Sequence, residues 1–129
     1  MRTSGAPTIE PEQLVACCSA PTGGQVTDEA ASVLAQVFKA LSDPTRVKLL
    51  SMIAAATDGE ACICDMTEPV GLSQPTVSHH MSVLSRAGLV TREQRGKWAY
   101  YALSPDARAA LAGAVAQVTA APERAIAIG

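Results

Sequence analysis

Residues 73–103, SQPTVSHHMSVLSRAGLVTREQRGKWAYYAL, constrain the fold more than any other stretch of the chain. Ser73 precedes Gln74 and Pro75, a capping side chain with proline in the first helical turn. Val77, Met81, Leu84 and Gly88 then recur at helical spacing, so one apolar stripe runs along a helix over about 73–87 and Gly88 stops it. Residues 89–94 and 97–103 alternate and bracket Arg95-Gly96, where glycine supplies the positive φ of a two-residue hairpin turn.

The rest of the chain reads as helices. A length of 129 residues fits one domain, and the hydrophobic content of 48% lies in the globular range. With one Phe, one Trp and two Tyr, the core must be Ala, Leu, Val and Ile, which suits close-packed helices completed by an oligomer. Residues 1–26 are rich in Pro and Gly and read as a flexible arm with a helical turn around 11–16. The domain proper spans 27–121, and 122–129 form a C-terminal tail. Thr27 or Asp28 caps a helix to about residue 41, and Asp43-Pro44 restarts one over 44–55 with Val47, Leu50, Ile53 and Ala54 inward. Residues 60–64 look extended, and Asp65-Met66-Thr67-Glu68 resembles a capping box opening a short helix that ends near Gly71. A last Ala-rich helix begins at 104–106 and runs to about 120. The expected order is ααααββα, mainly α with one β-hairpin. No apolar run approaches a membrane span and no signal-peptide core is present, so the expectation is a cytoplasmic protein without membrane association.

The net charge of −2 argues against a broadly basic nucleic-acid binder, but its distribution says more. Over 73–101, Arg86, Arg92, Arg95 and Lys97 face a single acid, Glu93. A locally basic face on an acidic protein fits a reversible, salt-sensitive DNA contact. The helix side away from the apolar stripe carries Gln74, Thr76, Ser78, His79 and Ser82, hydrogen-bonding groups without an acid, as a major-groove surface needs. With Ser73 at its start, the preceding short helix and the turn at 70–72, this is a helix-turn-helix, and the hairpin is a wing offering Arg92, Arg95 and Lys97 to the backbone or minor groove. The plainer alternative is a solvated polar helix in an α+β domain. His79 and His80 diverge by ~100° on one helix and cannot chelate one ion. The reading assigns His79 to DNA and turns His80 partly inward.

In a cytoplasmic chain, four cysteines are free thiols or metal ligands before they are disulfides. Cys62 and Cys64 on an extended segment share one side, and a helix N-terminus just beyond them favours thiolates. Cys17-Cys18 are consecutive and need a non-extended arm to aim at one target. Four thiols without a neighbouring carboxylate or His cluster select a soft ion: As(III) or Sb(III) with three sulfurs, or Cd(II), Pb(II) or Zn(II) with four. A buried structural pair for Cys62 and Cys64, and a redox pair, are the competing readings.

The segments FKALSDPTRVKLL, EACICD, GLSQPTVSHHMSVLSRAGLV and RGKWAYYAL together resemble the ArsR/SmtB family of metal-sensing winged-helix repressors. The resemblance implies a homodimer, paired through its first and last helices, that holds operator DNA and releases it on ligand binding. ACICD is similar to the family's arsenic-sensing cysteine box, whose third cysteine is Thr67 here. By resemblance to sensors with a vicinal N-terminal pair, Cys17 and Cys18 supply the missing ligands. The cadmium/lead-sensing branch also pairs an arm with a Cys-x-Cys. The family's zinc-type site on the last helix has no counterpart, because 105–129 contain no His or Cys. The expected function is an arsenite- or antimonite-responsive repressor of double-stranded operator DNA, not an enzyme. The alternatives are a Cd(II)/Pb(II)/Zn(II) sensor of the same fold, or a cytoplasmic thiol-redox or metal-handling protein.

Overall fold

A computed structural model of the chain describes residues 8–18 and 25–120, with 16–18 described as backbone alone. The order is α1 (Pro11–Cys18), α2 (Asp28–Ala40), α3 (Pro44–Ala55), β1 (Glu60–Cys62), α4 (Ile63–Val70), α5 (Gln74–Arg86), β2 (Val90–Arg95), β3 (Trp98–Leu103) and α6 (Ala107–Val118). The expected elements over 27–121 are all present; the helical turn expected around 11–16 is the two-turn helix α1, and the first part of the extended stretch at 60–64 is the strand β1, which joins the hairpin edge-on. The sheet is antiparallel in the order β1-β3-β2.

Local chemistry sets most boundaries. The Thr27 hydroxyl accepts from the Ala30 N–H and starts α2, and the Asp43 carboxylate accepts from Thr45 and Arg46 N–H and starts α3, with Pro44 in its first turn. Gly71, at φ +70, ends α4 with its N–H and that of Leu72 both directed to the Thr67 carbonyl. Ser73 caps α5 as expected. The hairpin is displaced by one residue from expectation. Arg95 pairs with Trp98, so the turn residues are Gly96 and Lys97 rather than Arg95 and Gly96. Glycine still holds the positive φ, at +62.

The core runs along α5, where Val77, Met81 and Leu84 are fully buried against Leu34, Val37, Leu49, Ile53, Met66 and Leu89. Burying side chains of this size contributes about 1.5–3 kcal/mol each before conformational entropy is charged against it. In α3 the expected inward residues are partly corrected. Leu50 and Ile53 are buried, but Leu49 takes the place of Val47, which is 50% exposed. Helix α3 is wedged between α4, α5 and β3, and this turns its buried stripe towards Leu49.

The N-terminal segment also departs from a free arm over its described part. Helix α1 packs on α2 and α6, and Ile9 and Leu14 are buried in the shared core. The Ile9 N–H donates to the Arg86 carbonyl at 2.7 Å, at the C-terminal end of α5. Two apolar residues five apart among prolines and glycines are too sparse for a periodicity argument, and only the tertiary contact reveals them. Residues 1–7, 19–24 and the tail lie outside the described residues, as do the side chains of Cys17 and Cys18.

Candidate nucleic-acid interface and thiol site

Helices α4 and α5, joined through Gly71, Leu72 and Ser73, form a helix-turn-helix, and β2–β3 form the wing beside it. Ser73, Gln74, Thr76, Ser78 and His79 are exposed on α5 and Ser82 is half-buried, so the polar face lies opposite the buried stripe as expected. Two of these side chains have local work. The Ser73 hydroxyl accepts from the Thr76 N–H at 3.4 Å and donates to Thr76 Oγ1 at 3.0 Å.

His80 is half-buried, and its Nδ1 accepts from Arg46 Nη1 at 3.1 Å. The same guanidinium donates to the Ala40 carbonyl at 2.7 Å, so one arginine links the end of α2, the start of α3 and helix α5. Beside it, partial burial of Asp43 opposes its charge. The N–H donors of Arg46 and Thr45 and the Arg46 charge outweigh that and hold the carboxyl below its usual value. The role of Arg46 comes from partners brought together only by the tertiary fold, with His80 34 residues away.

The three wing cations differ. Arg92 is exposed and donates to Gln94 Oε1 at 2.5 Å, and Lys97 lies at the turn with Nζ 5.6 Å from the Trp98 ring centroid. Arg95 is engaged within the protein. It meets Glu60 through two parallel bonds of 2.6 and 2.8 Å, reaches Glu93 at 2.6 Å and stacks on Tyr100 at 4.4 Å. The Arg95 hydrogen bond pulls the Glu60 carboxyl below its usual value, and the two carboxylates raise Arg95 further above its own.

The thiol pair converges by a route other than the expected one. Cys62 ends β1, but Cys64 lies in the first turn of α4, so no continuous extended segment carries both. Cys62 is the N-cap, its Sγ accepting from the Cys64 N–H at 3.2 Å. Asp65, expected as the cap, sits in the first turn instead. An N-cap side chain folds back over the first turn, which brings both sulfurs to one helix end with Cα atoms 5.1 Å apart. There they are joined as a disulfide, where free thiols were expected. Cys62 is 3% exposed while Cys64 faces solvent. A carboxylate was not expected beside the thiols, yet Asp65 stands within 4.8 Å of both sulfurs, giving a set of two sulfurs and one oxygen. Reading Cys62 as the cap would have placed Asp65 in the same first turn. In the dithiol form the three donors suit a soft or borderline ion at a helix end that favours negative charge.

Residues 43–92, from the cap of α3 into the wing, match the family described as bacterial regulatory protein, arsR family. Over 86 residues the chain is 46% identical to a Halobacterium salinarum protein named as arsenical resistance operon repressor ArsR2, covering 67% of this chain and 70% of that one. The chain belongs to the ArsR family. Members of the ArsR family are DNA-binding transcriptional regulators, and the matched residues take in the helix-turn-helix and the first strand of the wing. A Staphylococcus aureus cadmium resistance regulatory protein, a CadC homolog, is 40% identical over 57% of this chain and 59% of its own length. Among solved structures, the homodimeric winged helix-turn-helix DNA-binding domain Mb0332 of Mycobacterium bovis superposes with a TM-score of 0.56 at 29% identity, over 75% of this chain and 88% of that domain. Among the described residues, no helix is long and apolar enough to cross a membrane.

Proposed function

We propose that this ArsR-family repressor is a cytoplasmic homodimer that releases operator DNA when its cysteine thiolates bind As(III) or Sb(III). The observation that carries the reading is the position of Cys62 and Cys64. Their sulfurs lie at the N-terminus of α4, the first helix of the DNA-reading unit, where an ion must perturb that unit directly. Cys17 and Cys18, at the C-terminal end of α1, supply the further sulfur that Thr67 does not. A hundredfold loss of operator affinity needs a coupling of ~2.7 kcal/mol, within the usual allosteric range. Dimerisation through α2 and α6 is supported by apolar side chains left in water on those helices, Phe38, Val115 and Val118, with Val15 on the α1 helix that packs against both.

DNA is contacted by Gln74, Ser78, His79 and Ser82 on α5, by Ser73 and Thr76 near its start, and by Arg92 and Lys97 on the wing. The test is a fluorescence-anisotropy titration on DNA upstream of the protein's own gene, under reductant, with arsenite, cadmium and zinc. Cys17→Ser/Cys18→Ser protein should keep its DNA affinity and lose the arsenite response; release at the parent's arsenite concentration would sink the split site.

A second reading, release by Cd(II), Pb(II) or Zn(II), is favoured by the carboxylate of Asp65 and by the cadmium-resistance relative. Asp65→Asn separates the two. It weakens release by cadmium if the carboxylate is a ligand, and leaves an all-sulfur arsenite site unchanged.

A further inference from the structure

We infer that Arg95 is a positioning residue, a clasp that ties the wing to the thiol-bearing strand, rather than a phosphate contact. An arginine poised for DNA holds its fork towards solvent. This one turns it back across β3 to β1, where both Nη atoms meet Glu60, and Nη2 also reaches Glu93. Between them lies Tyr100, under the guanidinium. Isolated surface ion pairs contribute little, but a two-bond fork combined with a stacked ring and a second carboxylate restricts geometry in several directions at once.

The strand register shows what the clasp connects. Cys62 pairs with Tyr100, and Tyr100 pairs with Glu93, so the capping thiol, the stacked ring and one carboxylate form a single cross-strand row. Glu60, the other carboxylate, lies two residues before Cys62 on the same strand. The wing tip with Lys97 and the sulfur at the head of α4 are therefore joined through one guanidinium. Setting the wing's angle over DNA needs only this clasp. Its second role, carrying an ion's displacement of Cys62 to the wing, rests on the thiol-ligand reading above.

The experiment compares Glu60→Gln, Arg95→Lys and the double variant with the parent, measuring operator affinity against salt, with and without arsenite. The active fraction is fixed by stoichiometric titration. For the clasp, each single variant loses roughly three- to tenfold in affinity, in the range expected for contacting residues, and the double variant is no worse than either. The slope of log affinity on log salt stays at the parent's value, and the ratio of arsenite-free to arsenite-loaded affinity shrinks. If Arg95 instead contacts phosphate, Arg95→Lys binds like the parent, and Glu60→Gln binds as tightly as the parent or more tightly with an unchanged slope. Either result overturns the clasp. An arsenite-insensitive parent would defeat the thiol reading alone, and the arsenite-free arms would still decide the clasp.

Discussion

Replacing Cys62 separates its two roles, as a cap and as a ligand. Cys62→Ala removes the acceptor for the Cys64 N–H at a helix start that is 3% exposed. Losing an oxygen N-cap acceptor costs about 0.5–2 kcal/mol, a sulfur as the weaker acceptor falls at the low end, and the missing sulfur leaves a small void that adds to it. A total of about 1–3 kcal/mol lowers the melting temperature of a domain this size by roughly 4–12 °C. Cys62→Ser keeps an oxygen at the cap, and serine is among the preferred capping residues. Its stability should stay within about 1 kcal/mol of the parent, the better acceptor offsetting the burial of a hydroxyl. Both variants lose a soft ligand, so both should lose the arsenite response while the serine protein alone keeps its stability. Melting followed by circular dichroism in excess reductant, at one protein concentration because a dimer's midpoint depends on it, makes the comparison. If the alanine protein melts with the parent, or the serine protein falls as far as the alanine one, the sulfur is not capping α4.

On the wing, Arg92→Gln and Lys97→Gln should each reduce the salt slope of operator binding by about 0.9 without shifting the melting temperature, and unchanged slopes would remove them from the DNA backbone. Gly88→Ala should cost about 1 kcal/mol or more and loosen the docked N-terminal segment. Gly88 holds φ +79, and an added Cβ would sit 3.4 Å from the Ile9 carbonyl oxygen. Hydrogen exchange at the Ile9 amide reads that loosening, and parent-like protection would refute it. Arg95 holds the Glu60 carboxyl below its usual 4.5, so its contribution is complete above that pH and is lost as pH falls through the lower folded value. Acid unfolding should therefore be less steep below about pH 4.5 in Glu60→Gln than in the parent, and superimposable acid curves would contradict the pairing.

The helix-turn-helix and its wing were legible because each of their parts announces itself locally. Ser73 caps, Val77, Met81 and Leu84 repeat at the helical period, and Gly88 and Gly96 mark places where the backbone must take a positive φ. The tertiary placement of the remaining elements depends on partners far along the chain. Strand β1 has only three residues and no alternation of its own, and it exists because β3 offers an edge at Tyr100, Tyr101 and Ala102. Helix α1 is held by Ile9 and Leu14 reaching a core built from other helices. In α3 the choice between Val47 and Leu49 turns on which neighbours surround the helix, which the helix's own period does not state.

The candidate site divides along the same line. A Cys-x-Cys pair signals convergent sulfurs whichever way the backbone runs, so the two sulfurs meet although the continuous extended geometry expected for them does not hold. Arg92, Arg95 and Lys97 look alike in sequence, three cations around one turn. They become different only when the sheet order β1-β3-β2 brings Glu60 within reach of Arg95 and leaves Arg92 and Lys97 without a carboxylate partner among the described residues. Residue type states what a side chain is able to bind. Whether its charge is still available to DNA depends on a carboxylate 35 residues away, and the same carboxylate sits on the strand that delivers Cys62 to its helix.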